Sequence, residues 1–221
     1  RRALVEPSEG RRLAAYREKM RADGKSQNAI DRMRGPATEV QEQPDDKNFD
    51  GKQTSDALAK MRELAAGKSP FFLAVGFIKP HSPYIAPKKY FDLYDPATIQ
   101  LAGESDLPEG APRLAGHGSN ELRRYTDQDR KGPIPDDKQR RVKHAYYACI
   151  SYIDTQIGRV LKELDAQGLR DNTVVVLWGD HGYHLGEQNL WGKTTNYELD
   201  TRVPLIVRAP GRKGNGMGSS A

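Results

Sequence analysis

The sequence has 221 residues, of which 36% are apolar and 29% charged, with a formal net charge of +5. That length suits one α/β domain or a large piece of a bigger one. Counting the 21 glycines brings the apolar share near the ~45–50% of soluble domains, so a packed core is possible. No stretch approaches the ~20 apolar residues of a membrane-spanning helix. Lys and Arg are not concentrated on one element with interleaved aromatics, as nucleic-acid binding requires. One cysteine excludes an internal disulfide framework and a multi-cysteine zinc site.

The opening RRALVEPSEG has no apolar core and does not read as a signal peptide. The first residue is Arg, so the chain is expected to be processed or excised from something longer. Residues 1–47 form a polar segment in which Arg11 to Met33 can make one or two helices, stopped by Gly35-Pro36. Thr54 or Ser55 can cap a helix with Leu58, Met61, Leu64 and Ala65 on one face and Gly67 at its end. The continuous apolar run Phe71 to Phe77 suits a strand buried on both faces. Residues 78 to about 135 carry many prolines, glycines and charges, an excursion of a length that is often functional. Tyr90, Phe91 and Tyr94 read as packing of that loop.

A long helix follows. Asp136 and Gln139 resemble a capping box, apolar residues from Tyr146 to Leu164 recur at helical spacing, and Gly168 ends it. Cys149 lies on the apolar face and reads as core, since no basic neighbour is there to activate it. Thr173 to Trp178 and Val203 to Val207 are two more strands. Strand, crossover with helix, strand is the pattern of an α/β fold.

In such sheets ligands bind beyond the carboxyl ends of strands. The first apolar run leads into Ile78-Lys79-Pro80-His81-Ser82-Pro83, and the second into Gly179-Asp180-His181-Gly182. Parallel strands would bring Lys79, His81, Asp180 and His181 into one site, with Lys193 a little further on. Asp180-His181 between glycines is a compact pair of metal ligands; the alternative is a Gly-rich turn with a capping Asp and a hydrogen-bonded His. His81, held between prolines, can bind an anionic oxygen or protonate a leaving group, or is simply a loop residue. Lys79 and Lys193 can clamp an oxyanion, or lie on the surface. His117 and His144 have no partner pattern, and His184 lies near the metal pair but can equally point away. Together these groups suit an anionic ester.

FFLAVGFIKPHSPYIAPKKYFDLYD, YYACISYIDTQIGRVLKELD and GDHGYHLGEQNLWGKTTNYELDTRVPLIVRAPG resemble the type I sulfatases of the alkaline-phosphatase superfamily, in the iduronate-2-sulfatase-like branch. The likeness runs from about Asn48 to Gly211. It implies an α/β fold with a mostly parallel mixed sheet flanked by helices, residues 48–211 being the central part of a catalytic domain and 212–221 a truncated loop. It implies Asp180 and His181 as calcium ligands (Mg²⁺, Mn²⁺ or Zn²⁺ less readily), His81 as the acid for the leaving alcohol, and Lys193 on the sulfate oxygens. Lys79 is carried only as a substrate contact. The family's nucleophile, a formylglycine made from C/S-x-P-S-R, and its N-terminal Asp-Asp pair match nothing here, so both are expected upstream.

The resemblance therefore implies part of a sulfuric ester hydrolase acting on a sulfated small molecule or carbohydrate, periplasmic or secreted. A phosphonate monoester or phosphodiester hydrolase on the same scaffold, and a non-catalytic oxyanion-binding module, are the alternatives.

Overall fold

The computed structural model describes residues 7–31, 34–67, 69–103, 106–116, 121–129, 132–212 and 218. His117 and most of the tail after 212 lie outside them. Helices α1 (Pro7–Ala22) and α2 (Gln27–Asp31) occupy the polar start, as expected. Strand β1 (Thr38–Gln41) follows, then helix α3 (Phe49–Ala66). Strand β2 (Tyr84–Pro87) runs directly into the short helix α4 (Lys88–Phe91). The 31-residue helix α5 (Asp136–Ala166), strand β3 (Val175–Trp178), helix α6 (Glu198–Thr201) and strand β4 (Leu205–Arg208) complete the order.

The strands form two pairs: β1 and β2 are parallel, and β3 and β4 antiparallel. The fold is α/β, and its core lies where α5 packs against β2, α3 and α4. Strand β2 is buried along its whole length. Leu122, Ile134 and Val142 are shut in beside it; burying each such side chain contributes roughly 1.5–3 kcal/mol. Arg62 of α3 and Glu163 of α5 form a fork-to-fork pair, Nε to Oε1 at 2.9 Å and Nη2 to Oε2 at 2.6 Å.

Several elements differ from their sequence reading. Helix α3 begins at Phe49, five residues before Thr54. Thr54 and Ser55 do not cap it; their hydroxyls donate back to the carbonyls of Asp50 and Gly51 inside the helix. Asp136 is the first residue of α5 rather than its cap, which is Pro135. Gln139 Nε2 donates to the Ile134 carbonyl instead of closing a capping box. The buried stripe of α5 is turned toward Val142, Ala145, Ala148, Cys149 and Tyr152, leaving Ile150 and Leu161 exposed.

The apolar run Phe71 to Phe77 belongs to no strand among the described residues, and Phe72 is 90% exposed. The β3–β4 ribbon is likewise open, with Trp178 64% and Leu205 67% exposed. Continuous hydrophobicity is the signature of strands covered on both faces. Within the described residues that cover is missing.

Candidate active site

The segment carrying His81 is held at its start by a buried carboxylate. Asp50, 1% exposed, accepts the backbone N–H of Ile78 at 2.8 Å and of Lys79 at 3.1 Å. Burial pushes its carboxyl above the ordinary range, although those two bonds and the Lys79 charge pull the other way. Lys79 folds back over the same turn, its Nζ donating to the carbonyls of His81 at 3.1 Å and Pro83 at 2.7 Å. The His81 amide donates to the Ile78 carbonyl, 2.9 Å. The turn is thus fastened on both sides, and Lys79 spends its ammonium on the chain itself.

His81 projects from this turn with Nδ1 2.7 Å from the Ser82 carbonyl and Nε2 3.4 Å from Glu121 Oε1. Both neighbours are acceptors, a setting that suits a ring with a proton on each nitrogen. Lys193 Nζ lies 3.4 Å from the other oxygen, Glu121 Oε2. Ser82 Oγ donates to Oε1 at 3.2 Å. One carboxylate therefore collects an imidazole and an ammonium from distant stretches of sequence.

Glu121 is fixed from behind. It precedes a short 3-10 turn (Leu122–Arg124) whose Leu122 is fully buried and which leads to the buried Tyr125. The Thr126 amide then donates to the Gly35 carbonyl, 3.1 Å. Burial alone would raise the Glu121 carboxyl, but the charges of Lys193 and His81 and the bonds from Lys193 and Ser82 hold it below the usual glutamate range.

Lys193 and the pair Asp180–His181 belong to one segment organised by Asp200, which is 3% exposed. Asp200 Oδ1 accepts from His184 Nδ1 at 2.9 Å, and Oδ2 accepts from the Thr195 amide at 3.0 Å and from the Thr195 hydroxyl. Its carbonyl takes the Gly182 amide, 2.8 Å, and the His184 amide donates to the Gly192 carbonyl, 2.8 Å. Gly182 is required by this closeness: a Cβ there would lie 1.9 Å from the Leu199 carbonyl oxygen. Trp191, 1% exposed, anchors the stretch before Lys193 in the core.

His181 Nδ1 lies 2.7 Å from the Gly182 carbonyl, which fixes it as the donor and turns Nε2 toward Asp180 Oδ2, 3.6 Å away. A ligating histidine usually donates its other nitrogen to a carbonyl in this way. The Asp180 side chain is 85% exposed. One carboxylate and one imidazole nitrogen therefore stand ready on one turn, a donor pair that fits a divalent cation. No group of three or more His, Cys, Asp or Glu suited to a metal occurs among the described residues.

Of the residues singled out in the sequence, His81 and Lys193 are brought together, and Asp180 and His181 face each other. Lys79 holds the turn beneath His81. His144 Nε2 pairs with the Phe91 carbonyl at 2.8 Å, and Cys149 is fully buried, its thiol pushed up to about 12 chiefly by desolvation. The sequence reading passed over Glu121, Ser82 and Asp200. Glu121 lies in the unpatterned excursion, and Asp200 looks like any acidic residue of a loop. His184, whose place in sequence lets it face the metal pair or point away, spends its Nδ1 on Asp200.

A model of the sulfatase family matches residues 15–220, reaching well N-terminal of Asn48. Iduronate 2-sulfatases of Mus musculus and Homo sapiens are each 39% identical over 169 residues, covering 74% of this chain and 31% of their own. Among solved structures, the phosphonate monoester hydrolase SpPMH from Silicibacter pomeroyi superposes with a TM-score of 0.64 at 29% identity, over 78% of this chain and 35% of its own. The chain spans about a third of the length of the curated relatives it matches.

Proposed function

Since the chain belongs to the sulfatase family of the alkaline-phosphatase superfamily, we propose that it carries the leaving-group and charge-stabilising side of a sulfuric ester hydrolase site. The supporting observation is the meeting of His81 and Lys193 across Glu121, 3.4 Å on either side. A tetrahedral anionic ester placed between them receives the ammonium on its non-bridging oxygens and the imidazole N–H on its bridge oxygen. As the sulfur–oxygen bond breaks, the departing alkoxide takes the proton from His81 Nε2. Lys193 stabilises negative charge on the sulfuryl oxygens. Asp50 and Lys79 hold the His81 turn, and Asp200 holds the stretch that delivers Lys193.

Asp180 and His181 would hold a divalent cation, which supplies Lewis-acid polarisation of the sulfuryl group. The oxygen of Asp180 suits Ca²⁺, and the nitrogen of His181 is equally suited to Mn²⁺ or Zn²⁺. The nucleophile is assigned to a formylglycine outside this sequence, which contains no C/S-x-P-S-R. By analogy with the named relatives the substrate is a sulfated small molecule or carbohydrate, and by family the protein is periplasmic or secreted.

Kinetics of the full-length protein with an aryl sulfate test this reading. His81→Ala is expected to lower kcat by about 10²–10⁴-fold, and Lys193→Ala by about 10²–10³-fold. Wild-type rates in either variant would remove these roles. The likeness to SpPMH favours one second reading, a phosphonate monoester hydrolase. Turnover of an aryl phosphonate monoester but not of the aryl sulfate would select it.

A further inference from the structure

Two cations would suffice to bind an anion, yet the site holds a third charge between them. Lys193 Nζ and His81 Nε2 each lie 3.4 Å from a different oxygen of Glu121. Charge-assisted bonds close to about 2.7–2.9 Å, so both pairs are loose, and an entering anion breaks no tight fork to reach the cations. Glu121 cannot withdraw far, because Leu122 and Tyr125 are buried behind it and the Thr126 amide is tied to the Gly35 carbonyl. The Glu121 and Lys193 side chains are each 19% exposed, so water screens this group of charges only partly.

We propose that Glu121 determines specificity: its negative charge beside His81 and Lys193 admits tetrahedral esters with one negative charge and disfavours those with two. The inference rests on the reading that the ester binds between those two residues. When His81 donates from both ring nitrogens to its two acceptor neighbours, it and Lys193 are positive and Glu121 negative, so the trio sums to one positive charge. A singly charged ester neutralises it. A doubly charged one leaves a net negative charge in a partly buried place, which is costly. Sulfate esters, phosphonate monoesters and phosphodiesters carry one charge at neutral pH, whereas phosphate monoesters carry about two. Any cation on Asp180 and His181 acts on wild type and variant alike, so the effect of Glu121 is read as the change between them.

The test uses full-length protein and two isosteric, unreactive ligands, benzylsulfonate with one charge and benzylphosphonate with two above its second ionisation. Calorimetric titration of the wild type is expected to favour benzylsulfonate. Glu121→Gln should tighten benzylphosphonate about tenfold, or 1.4 kcal/mol, and alter benzylsulfonate less than about threefold. Glu121→Asp, which keeps the charge, should keep the wild-type preference. Equal changes for both ligands, or none, overturn the proposal while leaving the hydrolase reading in place. Failure of the wild type to bind either ligand ends both.

Discussion

A carboxylate bridging two cations loses its hold when it takes up a proton. The Glu121 carboxyl sits below its ordinary value of 4.5 because Lys193, His81 and Ser82 outweigh the effect of burial. Its folded form therefore ionises more readily than its unfolded form. The resulting stabilisation is fully present above pH 4.5 and disappears as pH falls through the lower folded value. Urea midpoints measured down through that window should drop more steeply for the wild type than for Glu121→Gln; parallel curves would mean that the bridge contributes nothing. At this scale the sequence was half legible. His81 between prolines and Asp180-His181 between glycines announce themselves by their neighbours. Glu121 has no such neighbours, and its partners at 81 and 193 become adjacent only through folding. Lys79 misled because sequence shows a charge but not the carbonyls of His81 and Pro83 that already occupy it.

Among the elements, the stretch from Gly179 to Thr201 depends on backbone closeness more than on regular structure. Gly182 presses on the Leu199 carbonyl and donates to the Asp200 carbonyl. Gly182→Ala should destabilise by about 1–3 kcal/mol, the usual cost of forced overpacking. The loss should appear as faster amide exchange within residues 180–201 while α5 keeps its protection, and uniform exchange across both would contradict this local account. The long helix was readable because 31 residues of helical spacing outweigh any single error. Its buried face was read in part: Cys149, Ile153 and Leu164 are buried as their spacing suggests, but Ala145 and Ala148 are weakly apolar in sequence yet touch the core, whereas Ile150 is strongly apolar and faces outward. The capping signals at Thr54 and Asp136 were overridden by tertiary fit: Asp50 has to sit in the first turn of α3 to reach the amides of Ile78 and Lys79.

For the molecule as a whole, the parallel pair and α5 make a proper core while the β3–β4 ribbon stands open. Trp178, Leu205, Ile206 and Val207 form an exposed apolar surface of the kind that recruits other chains. The 221-residue chain by itself should bind a hydrophobic dye and self-associate in light scattering, and Leu205→Lys with Ile206→Thr should reduce both. A monodisperse chain that binds no dye would refute that expectation. Strands β3 and β4 were evident from composition, whereas β1 and β2 lie in polar or unpatterned stretches and the run Phe71 to Phe77 forms no strand among the described residues; the missing cover was not evident, because hydrophobicity records what a strand needs rather than what surrounds it. The same dependence on tertiary packing governs the trio at 81, 121 and 193. No covalent brace joins them; the packing of Leu122, Tyr125 and Trp191, with the buried carboxylates of Asp50 and Asp200, keeps the three in step. Gentle warming that slackens those side chains is expected to scatter the trio first, while the helices still give an intact silhouette.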